Sequence, residues 1–123
     1  MESEAVITIL KKVTSGDCVL VSSDTIDIEI SQTPDLDRKE KVLSWVNFAS
    51  EHVLINDKIQ KRALYFEQSG IYGYDTLHLA CAEEGAVDVF FSTDDELLKK
   101  YEEIVPKPKM RVINPLAWVN EVI

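Results

Sequence analysis

The stretch YDTLHLACAEEGAVDVFFSTDDELLKK, from Tyr74 to Lys100, decides the fold. Its first part has apolar residues at the spacing of a buried helix face. Gly85 is placed to end that helix in a left-handed conformation, because glycine adopts a positive φ without a Cβ clash. The unbroken apolar run Val89–Phe91 is typical of a strand covered on both faces. An acidic turn and a second helix follow, so this stretch predicts a helix–strand–helix unit of an α/β fold.

Acidic residues stand at two boundaries within this stretch. Asp75 opens the first helix, and Asp94 and Asp95 come directly after the apolar strand. In open α/β sheets, ligands bind in the crevice outside the carboxyl ends of the strands. An aspartate at a strand end and another at the start of a neighbouring helix therefore predict a cation site.

The first third of the chain predicts a helix, a strand and one ambiguous segment. Apolar residues from Ala5 to Val13 are spaced as one helix face, and Gly16 ends that helix. Residues 18–21 form an apolar strand. Residues 24–30 alternate like a strand, but a serine cap at Ser22 or Ser23 and acids in the first turn suit a short helix equally well.

The remainder alternates short strands with helices, which predicts an α/β sandwich with a mainly parallel sheet. A capping hydroxyl and a proline at Thr33-Pro34 start a helix that reaches about Ser50. The other predicted elements are a strand at 52–55, a helix capped by Asn56 or Asp57 and ended by Gly70, a helix at 96–104, a strand at 111–113 and a last helix starting at Asn114-Pro115.

Two motifs of the opening stretch resemble the second half of a PIN domain, a family of metal-dependent nucleases. They are Asp75-Thr76-Leu77-His78-Leu79-Ala80 and Phe90-Phe91-Ser92-Thr93-Asp94-Asp95-Glu96-Leu97-Leu98. The resemblance continues at residues 23–29 and 114–118, so it covers nearly all of a single domain, 1–123. It implies a three-layer α/β sandwich with a short, mainly parallel sheet, and it favours a helix at 24–30. It also implies a ribonuclease, in many members the toxin of a bacterial toxin–antitoxin pair.

The resemblance assigns roles to particular residues. It implies Mg²⁺ or Mn²⁺ as the cofactor and RNA as the substrate. The implied catalytic metal ligands are Glu29, Asp75 and Asp94, with Asp95 as an accessory ligand and Thr93 and His78 at the substrate. Each acid also has a simpler interpretation as a surface helix cap, and His78 as a structural histidine. His52 carries no functional signal in the sequence.

The chain departs from the family at its front. A PIN domain opens with a central strand that ends in an aspartate, and nothing from Met1 to Glu4 matches that strand. Either the natural protein carries a further N-terminal segment, or this chain lacks one metal ligand and its central strand, which puts activity in doubt. In the second case we expect the sheet to close over the gap or another subunit to cover it. Because exposed strand edges invite pairing, we expect a homo-oligomer.

Composition limits the remaining functions. A length of 123 residues suits one domain, and a formal net charge of −9 argues against a broad basic surface for nucleic acid. Bound divalent cations would relieve that repulsion. We expect Cys18 and Cys81 to be reduced, no membrane span and a cytoplasmic location.

The alternative function is a catalytically inactive oligomerisation or protein-interaction module, with an antitoxin as one possible partner. A receiver-like phosphoacceptor domain fits less well, because the expected acidic pair near an N-terminal strand is absent.

Overall fold

The computed structural model describes residues 2–123, with side chains from Glu4 onward, as a mixed α/β fold. None of the described helices is long and apolar enough to cross a membrane. The described elements are, in chain order, α1 (Glu2–Thr14), β1 (Val21–Ser23), α2 (Asp24–Ser31), α3 (Leu36–Val46), β2 (Glu51–Val53), α4 (Asp57–Gln68), α5 (Tyr74–Glu84), β3 (Val89–Phe91), α6 (Asp95–Glu102), β4 (Arg111–Ile113) and α7 (Pro115–Val122).

The four strands of residues 2–123 pair as two separate parallel sheets. β1 pairs with β2, with Val21 opposite Glu51, and β3 pairs with β4, with Val89 opposite Arg111. The parallel pairing confirms the predicted α/β class. The sheet does not close over the gap, because no described strand joins β1 to β3.

The main core lies where α4, α5 and α6 meet. Phe66 and Leu79 are fully buried there, and Tyr101 is nearly so while its hydroxyl donates a hydrogen bond of 2.7 Å to the Met110 carbonyl. A smaller cluster joins α1 to α7 through Ala5, Ile9 and Val119. The free thiols of Cys18 and Cys81 agree with the predicted reduced state.

Local capping chemistry sets two helix starts as predicted. The Ser23 hydroxyl accepts a hydrogen bond of 3.3 Å from the Ile26 N–H, so the ambiguous segment is the helix α2. The Asn56 side chain accepts one of 2.9 Å from the Ile59 N–H at the start of α4.

Three other predicted boundaries are wrong, each because a long-range or competing contact decides it. The strand predicted at 18–21 is Val21–Ser23, since Val21, Ser22 and Ser23 are the residues that pair with β2. The strand predicted at 52–55 is Glu51–Val53, because an Asp24 carboxylate oxygen accepts the Ile55 N–H at 2.9 Å and replaces a sheet bond.

The third wrong boundary is the start of α3. The hydroxyl of Thr33 donates to the Glu29 carbonyl at 2.8 Å, which removes it as a cap. Asp35 caps instead, by accepting hydrogen bonds from the N–H groups of Asp37 and Arg38, and the helix ends at Val46 rather than near Ser50.

Gly85 also differs from its predicted role. Its φ is −76°, and the left-handed residue is Ala86, with φ 55°. Gly85 is required for a different reason, because a Cβ at that position would lie 2.8 Å from Cγ2 of Val53. The glycine therefore allows the end of α5 to approach β2 closely.

A large cavity, which we call the inter-sheet cavity, lies against both sheets. It has a volume of about 1140 Å³ and is lined by all residues of Val21–Ser23 and Val89–Phe91. Consequently β3 is only half-buried along its length, whereas the sequence predicted a strand covered on both faces. Helix α3 also lines the cavity, with Val42, Trp45 and Val46, and has no buried residue.

Candidate acidic site

Asp75 is an acid whose surroundings shift the pKa of its carboxyl. It lies in the first turn of α5, where Gly73 has φ 66° and no side chain caps the helix. Burial raises the pKa of the Asp75 carboxyl above its ordinary value. The charge of His78 opposes that increase, and those of Asp94 and Glu29 add to it. Three predicted ligands therefore interact electrostatically in the folded chain.

Glu29 and His78 connect α2 to α5, which pack against each other. Their side chains approach to 3.3 Å between His78 Nε2 and Glu29 Oε2. The His78 side chain is only 14% exposed, whereas that of Glu29 is 46% exposed. Both residues line the inter-sheet cavity. His78 is thus positioned to orient Glu29.

Asp94 caps α6 and is exposed to solvent. Its Oδ1 atom accepts hydrogen bonds of 3.0 Å from the Glu96 N–H and 3.3 Å from the Leu97 N–H. The Asp94 N–H donates to the Ser92 hydroxyl at 3.1 Å, which fixes the turn after β3. The capping role accounts for one carboxylate oxygen and leaves Oδ2 for another ligand.

Thr93 and Asp95 lie beside Asp94 but contribute less. Both are exposed, and neither side chain makes a hydrogen bond within the described part of the chain. Asp95 is the first residue of α6, where a negative charge favours the helix dipole. Thr93 and Asp95 therefore lie near the acidic site only because they are next to Asp94 in the sequence.

The acidic site has no lysine or arginine beside it in the described part of the chain. Glu29, Asp75 and Asp94 form no ion pair with either residue type among residues 4–123, and the one basic contact is that of His78 with Glu29. Carboxylate oxygens without a lysine or arginine partner are a donor set that suits Mg²⁺ or Mn²⁺. Their oxygens are not grouped within 4.8 Å of one another. Mg²⁺ usually retains several of its waters, so a site for it needs fewer direct carboxylate contacts.

A second group, Asp24, Asp27 and His52, is more tightly clustered. Its ligand atoms all lie within 4.8 Å of one another. His52 Nε2 lies 2.9 Å from Asp24 Oδ1 and 3.7 Å from Asp27 Oδ2. The hydrogen bond from His52, followed by that from the Ile55 N–H, lowers the pKa of Asp24. Sequence reasoning missed this group, and only the pairing of Ser22 with His52 could have revealed it.

The contacts of that second group have a structural explanation. Asp24 joins the start of α2 to the end of β2 through His52 and the Ile55 N–H. The group is exposed or half-exposed, and such acidic surfaces are common without a metal. It therefore connects two elements, and it provides a control site for the acidic site.

Two of the three basic residues of α4, Lys58 and Arg62, are engaged in ion pairs. Arg62 forms a two-point contact with Glu83, at 2.7 and 3.1 Å, and lies over the ring of Tyr65. Lys58 lies 3.3 Å from Glu84. These two side chains are therefore not free to bind a phosphate.

Comparisons with known proteins leave the chain without an assigned family. No family model matches it, and neither the curated proteins nor the solved structures give a match.

Proposed function

We propose that this protein is a metal-dependent phosphodiesterase of the PIN type, which hydrolyses RNA. The observation that carries the proposal is the burial and the raised pKa of the Asp75 carboxyl. This carboxyl is half-buried, its pKa is raised, and the charges of Asp94 and Glu29 contribute to that shift without a lysine or arginine beside them. Groups with such perturbed titration concentrate at functional sites.

Each residue of the acidic site has a role in this proposal. Glu29, Asp75 and Asp94 would hold Mg²⁺ or Mn²⁺, with Asp95 reached through water. A metal bound there supplies a water of lowered pKa and stabilises charge on the phosphate. His78 keeps the Glu29 carboxylate in place through its 3.3 Å contact. The Thr93 hydroxyl, at the carboxyl end of β3, would contact the phosphate.

The negative charge of the chain opposes the binding of RNA. A protein with formal net charge −9 repels a polyanion, so the phosphate has no broad basic surface to bind. Divalent cations at the carboxylates would reverse the local sign of the potential. Cleavage is therefore expected to depend on divalent cations and to disappear when they are chelated.

The test is cleavage of a labelled single-stranded RNA with Mg²⁺, with Mn²⁺ and with a chelator. Loss of an outer-sphere partner of a metal costs about 10–100-fold, so Asp75→Asn and Glu29→Gln are expected to lower the rate at least about 100-fold. Asp27→Asn removes an acid of the control site and is expected to leave the rate unchanged.

RNA that remains intact in all conditions, with a melting temperature indifferent to both cations, would overturn the proposal. The chain would then be a protein-interaction module without catalytic activity, which is the alternative function. An antitoxin would be one class of partner for either function.

A further inference from the structure

Strands of both sheets line the inter-sheet cavity. The strands β1 and β3 each have a partner on one edge only, β2 and β4 respectively. All three residues of each strand line the same cavity. The cavity thus has a strand as part of each of two walls, and no described strand lies between them.

The hydrogen-bond register shows which backbone groups of β1 point away from its partner. The Ser50 N–H donates to the Leu20 carbonyl at 3.1 Å. Residues of a parallel strand face its two neighbours alternately, so Ser22 continues the bonding to β2. The N–H and C=O of Val21 therefore point to the opposite edge, which no strand occupies.

The same reasoning applies to β3. The Arg111 N–H donates to the Asp88 carbonyl at 3.0 Å, and the Ser92 N–H donates to the Ile113 carbonyl at 3.2 Å. Residues 88, 90 and 92 therefore bond to β4. The backbone groups of Val89 and Phe91 point to the other edge, where the described chain offers no strand partner.

The other walls of the cavity carry apolar residues without a packing partner beside charged residues such as Asp17, Arg38 and Lys39. Helix α3 has no buried residue although Val42, Trp45 and Val46 face the cavity. The three residues of β3 are only half-buried. The Ser22 hydroxyl, 4% exposed, lines the cavity without a hydrogen-bond partner in the described chain.

We propose that the inter-sheet cavity binds an extended apolar segment of another polypeptide, which pairs as a strand with the free edge of β1 and with that of β3. The two walls require an occupant with backbone donors and acceptors on both edges at a two-residue period, and an extended polypeptide provides these. Its side chains would cover α3 and the other helices around the cavity. The four strands of the described chain are already paired, so a second copy has none to donate. The inference does not depend on nuclease activity.

The test uses a synthetic peptide of valines and isoleucines with a lysine at each end, titrated into the purified chain. The matched control peptide has the same sequence with alternate backbone nitrogens methylated, which keeps the apolar side chains and removes donors. Hydrogen bonds contribute about 0.5–1.5 kcal/mol each, so loss of several is expected to weaken binding at least about 10-fold. Amide hydrogen exchange is expected to slow at Val21, Val89 and Phe91 together when the unmethylated peptide is present.

Proline variants locate the binding edge. Val21→Pro and Val89→Pro remove N–H groups that face the inter-sheet cavity, where the existing sheet bonds do not need them. Both are expected to weaken binding of the unmethylated peptide. His52→Pro makes the same change on the outer edge of β2, because Ser22 bonds to Glu51 and Val53 on either side of His52, and it is expected to leave binding intact.

Four outcomes would overturn the proposal. In the titration, they are no binding of the unmethylated peptide and equal affinity for both peptides. In the exchange experiment, they are protection by the peptide only on the outer edges of β2 or β4, and protection of Val21 and Val89 by self-association of the protein without peptide. The peptide comparison uses the unaltered protein, so its result stands even where a proline variant fails to fold.

Discussion

The Asp75 side chain combines the clearest functional signal with a cost to stability. Burial raises its pKa, so the folded state binds a proton more tightly than the unfolded state does. The stability from this protonated carboxyl is fully present below its ordinary pKa of 3.8 and is lost as pH rises through the higher folded value. At neutral pH the ionised carboxylate therefore destabilises the fold.

We predict that Asp75→Asn raises the melting temperature at pH 7 and that the gain disappears below about pH 3.8. Asp57→Asn is the matched control, because Asp57 is an exposed acid in the first turn of α4 and loses the same attraction to a helix dipole, about 0.3–1 kcal/mol. Thermal melts from pH 3 to pH 7 measure both variants. A drop at pH 7 larger than that of the control would contradict the assignment of Asp75 as a strained acid.

Substitutions at Gly85 and Ala86 are expected to change the free energy of unfolding in opposite directions. A Cβ at position 85 would lie 2.8 Å from Cγ2 of Val53, so Gly85→Ala is expected to destabilise the protein by about 1–3 kcal/mol. Ala86 has φ 55°, a conformation that costs a non-glycine residue about 1–2 kcal/mol. Ala86→Gly removes that cost but adds unfolded-chain entropy, so a gain of up to about 1 kcal/mol is expected.

Denaturant unfolding of these two variants gives the comparison directly. If Ala86→Gly destabilised the protein more than Gly85→Ala did, the left-handed residue would be position 85, as the sequence alone predicts.

At the scale of elements, Asp94 caps α6 and is also a proposed metal ligand, and two different substitutions distinguish these roles. It caps α6 through Oδ1, and asparagine caps a helix about as well as aspartate does. Asp94→Asn is therefore expected to keep the unfolding free energy of the parent while lowering metal-dependent cleavage. Asp94→Ala is expected to lose about 0.5–2 kcal/mol of stability as well.

Unfolding and cleavage should be measured on the same preparations. If Asp94→Asn lost as much unfolding free energy as Asp94→Ala, the negative charge of Asp94, rather than its capping hydrogen bonds, would stabilise the start of α6. Full retention of cleavage in that variant would remove Asp94 from the proposed metal ligands.

The sequence predicted elements well where a local contact decides them. Ser23 and Asn56 cap the helices that follow them, as short-range capping rules require. It failed where distant residues compete. The end of β2 depends on Asp24, which is 31 residues from Ile55. The hydroxyl of Thr33 is taken by the Glu29 carbonyl, and no local pattern reveals that choice.

The candidate site divides in the same way. The motif around Asp75 and Asp94 was visible in the sequence, whereas the contact of His78 with Glu29, 49 residues apart, required the packing of α2 on α5. The group around His52 was not predicted at all, because it forms only when β1 and β2 pair in register.

At the scale of the whole molecule, the inter-sheet cavity lies along the edges of β1 and β3 that have no strand partner among residues 2–123. The sequence predicted parallel strands and a missing central one, but not two separate sheets around a cavity of about 1140 Å³, because its volume depends on how all the helices pack. Backbone groups that face this cavity lack a sheet partner and should open at low free energy.

We predict that the amides of Val21, Val89 and Phe91 exchange with solvent faster than that of Phe90, which bonds to β4, in the protein without added peptide. Hydrogen exchange followed by NMR resolves the individual amides. Uniform protection along β3 would show that its second edge is already paired in solution.

The central claim, a metal site built from Glu29, Asp75 and Asp94, is tested most directly by titration with substoichiometric Mn²⁺. Paramagnetic broadening of amide signals identifies the residues around the bound ion. Broadening is expected around Asp75, His78 and Asp94, and Asp75→Asn should abolish it whereas Asp27→Asn should leave it unchanged. Broadening centred on Asp24, Asp27 and His52, or no broadening at any carboxylate, would contradict it.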